Sequence, residues 1–233
     1  MSIPALIACS ILTVAACGGV TEEGPPVQRI VFDLSRLVGG SAAPPDFVSV
    51  LGTAGLRIAA GGTETSQALP LGQSDSTVTF EVTVPSGSVR FRLDVLSNNQ
   101  TPLYVADTTV TIEADNFAVR IAPHAVNGVM VVWPRSPAYD STFFFRRRVK
   151  VARWALRNAG SDSLKWNVDS LASDGAAACF TFRRANCFFP QTLNPSLEPD
   201  TVVVLFDSIP PDSTRIITFT SNVGQASFAT GIP

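Results

Sequence analysis

Apolar and polar residues alternate along most of the chain after residue 26, with the period of two that half-buried β-strands show. Every second residue from Val78 to Val84 is apolar, and after a turn over Pro85–Ser88 the pattern returns from Val89 to Val95. No stretch here combines an apolar period of 3.6 residues with helix caps. The pattern therefore predicts an all-β chain.

Further short apolar or alternating runs predict more strands at close, regular spacing: Tyr104–Val105, Thr109–Ile112, Phe117–Ile121, Gly128–Trp133, Val149–Val151, Arg153–Leu156, Leu164–Val168, Thr201–Phe206, Arg215–Thr220 and Ala226–Ala229. Residues 35–76 are rich in Gly, Ala, Ser and Pro, which favour loops. Within that stretch we expect strands only around Phe47–Leu51 and Leu56–Ala59.

A domain boundary is predicted near Pro134 and Pro137, because two prolines in four residues cannot continue a central strand. The halves on either side, residues 27–134 and 135–233, each have the size of an Ig-like sandwich of about 100 residues. We therefore expect two Ig-like antiparallel β-sandwiches.

The first 16 residues carry no charge, and their apolar core is shorter than the ~20 residues that span a bilayer. A short apolar core that ends in small residues is typical of a secretory signal peptide. Residues 17–26 have the composition of a flexible linker. The sequence therefore predicts an exported chain that begins with a signal peptide over residues 1–16.

The segment Val14-Ala15-Ala16-Cys17 resembles the lipobox of bacterial lipoproteins. The resemblance implies that Cys17 receives a diacylglycerol and becomes the acylated N-terminus after cleavage. Each buried CH₂ of an acyl chain contributes ~0.8 kcal/mol to membrane affinity. We accordingly expect a cell-envelope protein anchored by lipid on the periplasmic or outer face, and Gly18 is compatible with sorting to the outer membrane.

Composition excludes several classes of protein. Hydrophobic residues make up 45% of the chain, charged residues 15%, and the formal net charge is −2. Such a chain is neither disordered nor basic enough for a dedicated nucleic-acid binder. His124 is the single histidine, which excludes a metal site built from several histidines. We expect no cofactor apart from the covalent lipid.

Two further cysteines, Cys179 and Cys187, lie in the second half. In an exported chain such a pair indicates a disulfide, and on the chain-entropy account a small loop of this kind stabilises by ~2–3 kcal/mol. A metal site is the alternative, but it needs further ligands and a spacing such as C-x₂-C. A nucleophilic cysteine is another alternative, and it would need a histidine partner.

The second half resembles bacterial Ig-like modules of the hydin/abnormal-spindle and BACON type through Trp154–Ser161, Leu164–Val168 and Ile217–Asn222. The first half resembles the Ig-like or prealbumin-like modules of bacterial surface lipoproteins through Val82–Gly87 and Tyr104–Ile112. Both resemblances imply a β-sandwich and say little about function.

Basic and aromatic residues are interleaved at two places in the second half, which together form a candidate binding patch: Phe143, Phe144, Phe145, Arg146, Arg147, Arg148, Arg183 and Arg184. Residues 135–233 hold 11 basic and 8 acidic residues. Such a patch suits anionic lipid headgroups, lipopolysaccharide or a partner protein. The alternative is a strand whose aromatic side chains enter the core and whose arginines are solvated.

Candidates for catalysis are few. His124 has no partner motif, and the carboxylates Asp94, Asp107, Glu113 and Asp115 alternate as on a solvated strand face, without a calcium-loop spacing. We therefore expect a noncatalytic protein-binding or scaffolding module, or an accessory subunit of a membrane assembly. The first alternative is a carbohydrate- or surface-binding adhesin, and the second is an enzyme with an acid pair in a cleft.

Overall fold

The computed structural model describes residues 27–33, 46–113, 118–144, 147–168, 179–181, 190–196, 198–206 and 213–232. Within these ranges the chain forms eighteen strands and no helix, which confirms the all-β prediction. The strands are β1 (Val27–Asp33), β2 (Val48–Ser49), β3 (Leu51–Ala60), β4 (Thr63–Pro70), β5 (Thr77–Thr83), β6 (Gly87–Ser97), β7 (Pro102–Ile112), β8 (Ala118–Ile121), β9 (His124–Ala125), β10 (Met130–Trp133), β11 (Tyr139–Phe144), β12 (Arg147–Asn158), β13 (Leu164–Val168), β14 (Cys179–Thr181), β15 (Gln191–Leu193), β16 (Asp200–Phe206), β17 (Ser213–Ser221) and β18 (Gly224–Ile232).

Two sheets are built from the first half of the chain. One has the order β5-β1-β8 and the other the order β4-β3-β6-β7-β9. Buried residues alternate with outward ones along β5 and β6, as the sequence pattern predicts. The pairs within these sheets are antiparallel except β1 and β8, which run parallel. A parallel pair needs a long connection between its strands, and here most of the first half separates them.

The other two sheets have the orders β14-β16-β12-β10-β2, with β11 also paired to β12, and β15-β13-β17-β18. The strands β2 and β10 belong by sequence to the predicted first half, yet β10 pairs with β12 from Met130–Asn158 to Trp133–Ala155. The sheet thus crosses the position at which the boundary is predicted. The division into two domains stays a prediction.

One continuous buried cluster contains side chains from all four sheets. In the second half, Trp154, Phe219 and Phe228 are its largest fully buried members, and their ring centroids lie 5.6 to 6.2 Å apart. Offset and edge-to-face contacts at such distances are favourable for aromatic rings. In the first half Phe32 of β1 and Phe80 of β5 meet edge to face at 5.8 Å.

The turn after β12 depends on Asn158, which is buried. Its Oδ1 accepts hydrogen bonds from the N–H groups of Val129 and Gly160, both at 3.0 Å. Its Nδ2 donates to the carbonyls of Asp162 and Leu193 at 2.7 and 3.0 Å. A buried amide with this many partners is fully satisfied, and it joins β12, the turn and β15.

Gly160 in the same turn approaches the chain before β10 too closely for a side chain. A Cβ at this position would lie 2.1 Å from the carbonyl oxygen of Asn127 and 2.5 Å from the backbone nitrogen of Val129. The Asn-Ala-Gly sequence of this turn therefore has a physical basis, since asparagine supplies the hydrogen bonds and glycine the space.

The turn between β6 and β7 contacts the hairpin of β17 and β18. The side chain of Asn98 donates to the carbonyl of Gln225 at 2.6 Å and accepts from its N–H at 3.1 Å. Gln73 donates to the same carbonyl at 3.2 Å. These bonds connect segments of the two predicted halves.

Candidate functional site

The structure describes only part of the predicted basic-aromatic patch. Phe143 pairs with Arg148 and Phe144 with Arg147, so β11 and β12 bring these residues together in a hairpin. Their side chains lie outside what the structure describes, as do Phe145 and Arg146 entirely.

Of the remaining predicted site residues, the structure describes only Cys179. Arg183, Arg184, Cys187 and the proposed lipid-bearing Cys17 lie outside the described residues. Cys179 begins β14, where its backbone pairs with Val204. The predicted disulfide between Cys179 and Cys187 thus stays a prediction.

Two of the four carboxylates considered for catalysis are engaged with arginines. Asp94 accepts from Arg57, and Asp107 accepts from Arg90. His124 is exposed on the short strand β9 opposite Val105. The described ranges contain no group of three side chains that could hold a metal ion, and Asp115 lies beyond them.

The outer face of the five-stranded sheet carries a charged cluster instead, which no pattern in the sequence had indicated as a unit. Arg57 of β3 lies directly opposite Arg92 of β6, and like charges in that relation weaken strand pairing. Oδ2 of Asp94 lies 2.9 Å from Arg57 Nη2 and 3.5 Å from Arg92 Nε. One carboxylate therefore compensates two guanidinium groups.

A second ion pair lies beside it. Arg90 Nε donates to Asp107 Oδ1 at 2.8 Å, and Arg90 Nη2 donates to Asp107 Oδ2 at 2.5 Å. This two-point hydrogen bond is the strong geometry for arginine and carboxylate. It lowers the pKa of Asp107 and raises the pKa of Arg90, and the hydrogen bond that Arg57 donates to Asp94 likewise raises the pKa of Arg57.

A shallow depression of about 130 Å³ lies among these charges, lined by Arg57, Ala59, Glu64, Arg90 and Arg92. Ala59 is the cross-strand neighbour of both Glu64 and Arg90. Its small side chain leaves the space between the two longer ones. The lining contains no aromatic side chain, whereas the adhesin alternative predicts exposed aromatics in such a groove.

The depression borders β4, the edge strand of this sheet. Seven of its eight residues are exposed and Leu69 is half-buried, so β4 is open to solvent on both faces. It is joined to β3 by Gly61 and Gly62, whose φ angles of 56° and 82° fit a two-residue type I′ hairpin turn.

The hairpin geometry determines which backbone groups of β4 are not used in pairing with β3. Residues that flank a two-residue turn form a hydrogen-bonded pair, and such pairs recur at every second position. Ala60–Thr63 is thus hydrogen-bonded, and the bond from Leu71 N–H to the Gly52 carbonyl at 2.8 Å continues the same alternation. The N–H and C=O groups of Glu64, Ser66 and Ala68 therefore point away from β3.

No described strand pairs with this outer edge of β4. The strand β4 is not among the strands predicted above, because the residues Thr63–Pro70 are exposed on both faces and show no apolar alternation. The Gly61-Gly62 pair was the available signal, since it is a preferred hairpin turn.

The part of the chain that the structure describes holds no helix with the length and apolarity that a membrane crossing requires.

No known protein family matches the sequence, and no curated protein matches it. Among solved structures, a β-glycosidase from Bacteroides vulgatus matches 76% of this chain at 11% identity, with a TM-score of 0.24. The match covers 21% of that protein's own chain. A likeness this distant indicates neither a shared fold nor a shared activity.

Proposed function

We propose that the protein is an exported, lipid-anchored, noncatalytic module that binds a protein partner by strand addition at β4. The observation that carries the proposal is the outer edge of this strand, with which none of the described strands pairs. An extended partner segment placed beside β4 would pair with the outward N–H and C=O groups of Glu64, Ser66 and Ala68. Main-chain hydrogen bonds of this kind supply the affinity in strand addition.

The composition of β4 suits an edge that pairs with a specific partner rather than one that aggregates. Long apolar edges cause aggregation, but β4 is polar along Thr63–Gln67 and exposed on both faces. The adjoining depression adds charged side chains rather than the aromatic ones that glycans would favour. A protein partner is therefore favoured over a carbohydrate.

The anchor follows from the lipobox resemblance of Val14–Cys17 and from the linker that succeeds it. Acylation of Cys17 would hold the sheets at the membrane of the cell envelope. The hairpin of β11 and β12, which carries Phe143, Phe144, Arg147 and Arg148, is a second candidate contact with anionic lipid or with the partner.

The test is a native pull-down from gently solubilised membranes with four forms of the chain: wild type, Cys17→Ala, Ser66→Pro and Ser66→Thr. Proline at position 66 removes an N–H that points to the free edge and is not used in pairing with β3. Proline is tolerated at such edge positions. Ser66→Thr keeps the N–H and is the matched control.

Proteins that are retained by wild type and Ser66→Thr but lost from Ser66→Pro support strand addition. If Ser66→Pro retains the same proteins, β4 is not the contact edge. If Cys17→Ala stays in the membrane fraction, the proposal that Cys17 carries the lipid anchor is wrong. If Cys17→Ala moves to the soluble fraction, that proposal is supported.

A further inference from the structure

The geometry of β4 points to a second copy of this chain as the occupant of its free edge. We propose that two β4 strands pair antiparallel about a two-fold axis at Thr65, with Glu64 of each copy opposite Ser66 of the other. This inference rests on the proposed function, because it names the partner that the edge binds. It follows from the hydrogen-bonding pattern and from the distribution of charge.

The hydrogen-bonding pattern limits the registers. Only the even-numbered residues Glu64, Ser66 and Ala68 direct backbone groups outward. Two copies can therefore hydrogen-bond only if even positions face even positions. A two-fold axis also requires the pairing to be reciprocal. The antiparallel registers in which Glu64 faces a residue that offers both an N–H and a C=O place it opposite Glu64, Ser66 or Ala68 of the other copy.

The charges of the outer face distinguish the three registers. Facing Glu64 with Glu64 sets like charges opposite each other, which is destabilising. Facing Glu64 with Ala68 places it in the cross-strand row that contains Gly55 and the acid Asp94. Facing Glu64 with Ser66 places it in the row of Arg57, Arg92 and Asp107. Of the three registers, only the last places an arginine two strands away from the glutamate.

Side-chain size permits this contact. The backbones of Glu64 in one copy and Arg57 in the other would be two strand spacings apart, or about 10 Å. Ser66 lies between them and leaves most of that gap open. Extended arginine and glutamate side chains span the gap together. The symmetry gives two such ion pairs in each dimer, one on either side of the axis.

The dimer interface is small, so pairing in dilute solution is expected to be weak. Lipid anchoring changes this expectation, because tethered copies share one membrane surface and a high effective concentration. The measurement therefore belongs in membranes, on the full chain.

The test is disulfide cross-linking of Thr65→Cys under mild oxidation, followed by non-reducing electrophoresis. In the proposed register Thr65 of one chain lies opposite Thr65 of the other chain. The two residues form a non-hydrogen-bonded pair, with Cα atoms about 4.5 Å apart. Disulfides accept Cα separations from about 4.4 Å. Ser66→Cys and Gln67→Cys report the antiparallel registers centred on Ser66 and Gln67. Similar yields at all three positions would indicate parallel in-register pairing, and wild type reports the background of native cysteines.

We expect Thr65→Cys to give at least ~5-fold more cross-linked dimer than Ser66→Cys or Gln67→Cys. Adding Arg57→Gln should reduce the Thr65→Cys yield several-fold. Arg29→Gln should not, since Arg29 pairs with Glu81 in the other sheet. Equal yields at all three positions, or no dimer above background, would overturn the inference.

The outcome is separable from that of the proposed function. If Thr65→Cys gives no dimer while Ser66→Pro still loses its co-purified proteins, self-pairing of β4 is wrong and strand addition of another protein to β4 is supported. If Thr65→Cys cross-links and Ser66→Pro abolishes the cross-linking, both self-pairing and strand addition are supported. If Ser66→Pro leaves cross-linking and co-purification unchanged, both proposals are wrong.

Discussion

The side-chain amide of Asn98 pairs with the backbone of Gln225 as a neighbouring strand would, donating to its carbonyl and accepting from its N–H. The two residues are 127 positions apart in sequence. Gly224 allows the approach, because a Cβ there would lie 2.5 Å from Asn98 Oδ1 and its φ is 148°. The contact ties the β6–β7 turn to the β17–β18 hairpin.

Asn98→Ala should lower the free energy of unfolding by about 1 kcal/mol, since two exposed hydrogen bonds are lost. Asn98→Asp should cost more, because a carboxylate cannot donate to the Gln225 carbonyl. Urea denaturation measures both, with Ser86→Ala in the exposed β5–β6 turn as the control. An aspartate variant as stable as wild type would contradict the bonding described.

Gly160→Ala should destabilise the fold by about 3 kcal/mol or more, because its Cβ would collide with backbone atoms of Asn127 and Val129. Gly55→Ala is the matched control, since a Cβ there meets only the Asp94 carbonyl oxygen at 3.8 Å. Thermal denaturation of the two variants side by side checks this. Equal losses of stability in Gly160→Ala and Gly55→Ala would show that the turn rearranges to accommodate the added Cβ.

Acid should weaken the fold partly through Asp107, whose pKa is lowered by its hydrogen bonds from Arg90. A carboxyl with a lower pKa in the folded state stabilises at pH above its unfolded value, here 3.8. That contribution is lost as the pH falls through the folded value. Asp107→Asn should therefore be less stable than wild type near neutral pH, and the difference should shrink as the pH falls below 3.8.

Melting temperatures across that pH range measure the effect. Glu113→Gln is the control, because Glu113 is exposed and lies outside the described ion pairs. A gap between wild type and Asp107→Asn that stays constant with pH would show that the pair with Arg90 is not formed.

Tyr104→Phe should leave stability unchanged or raise it by up to about 1 kcal/mol. The ring of Tyr104 is fully buried, and its hydroxyl has no hydrogen-bond partner in the described structure. Burial also raises the pKa of the hydroxyl. Chemical denaturation decides the matter, and a loss greater than 1 kcal/mol would mean that the hydroxyl is bonded.

The strands that bury one face could be predicted from sequence. Alternation located β5 and β6 because Phe80 and Phe91 recur with their apolar neighbours at every second position. The same argument could not find β4, where neither face is buried, or the parallel pairing of β1 with β8, which depends on distant segments. The charged cluster was also hidden, since Arg57 and Asp94 meet only through strand register.

The pairing of β2 and β10 with β12 has a consequence for the order in which the chain can assemble during synthesis. β2 and β10 leave the ribosome before β12, so one side of β10 must wait for a strand not yet made. A nascent chain of this protein therefore displays an open strand edge until β12 has been made, and such unpaired edges are prone to aggregation during folding.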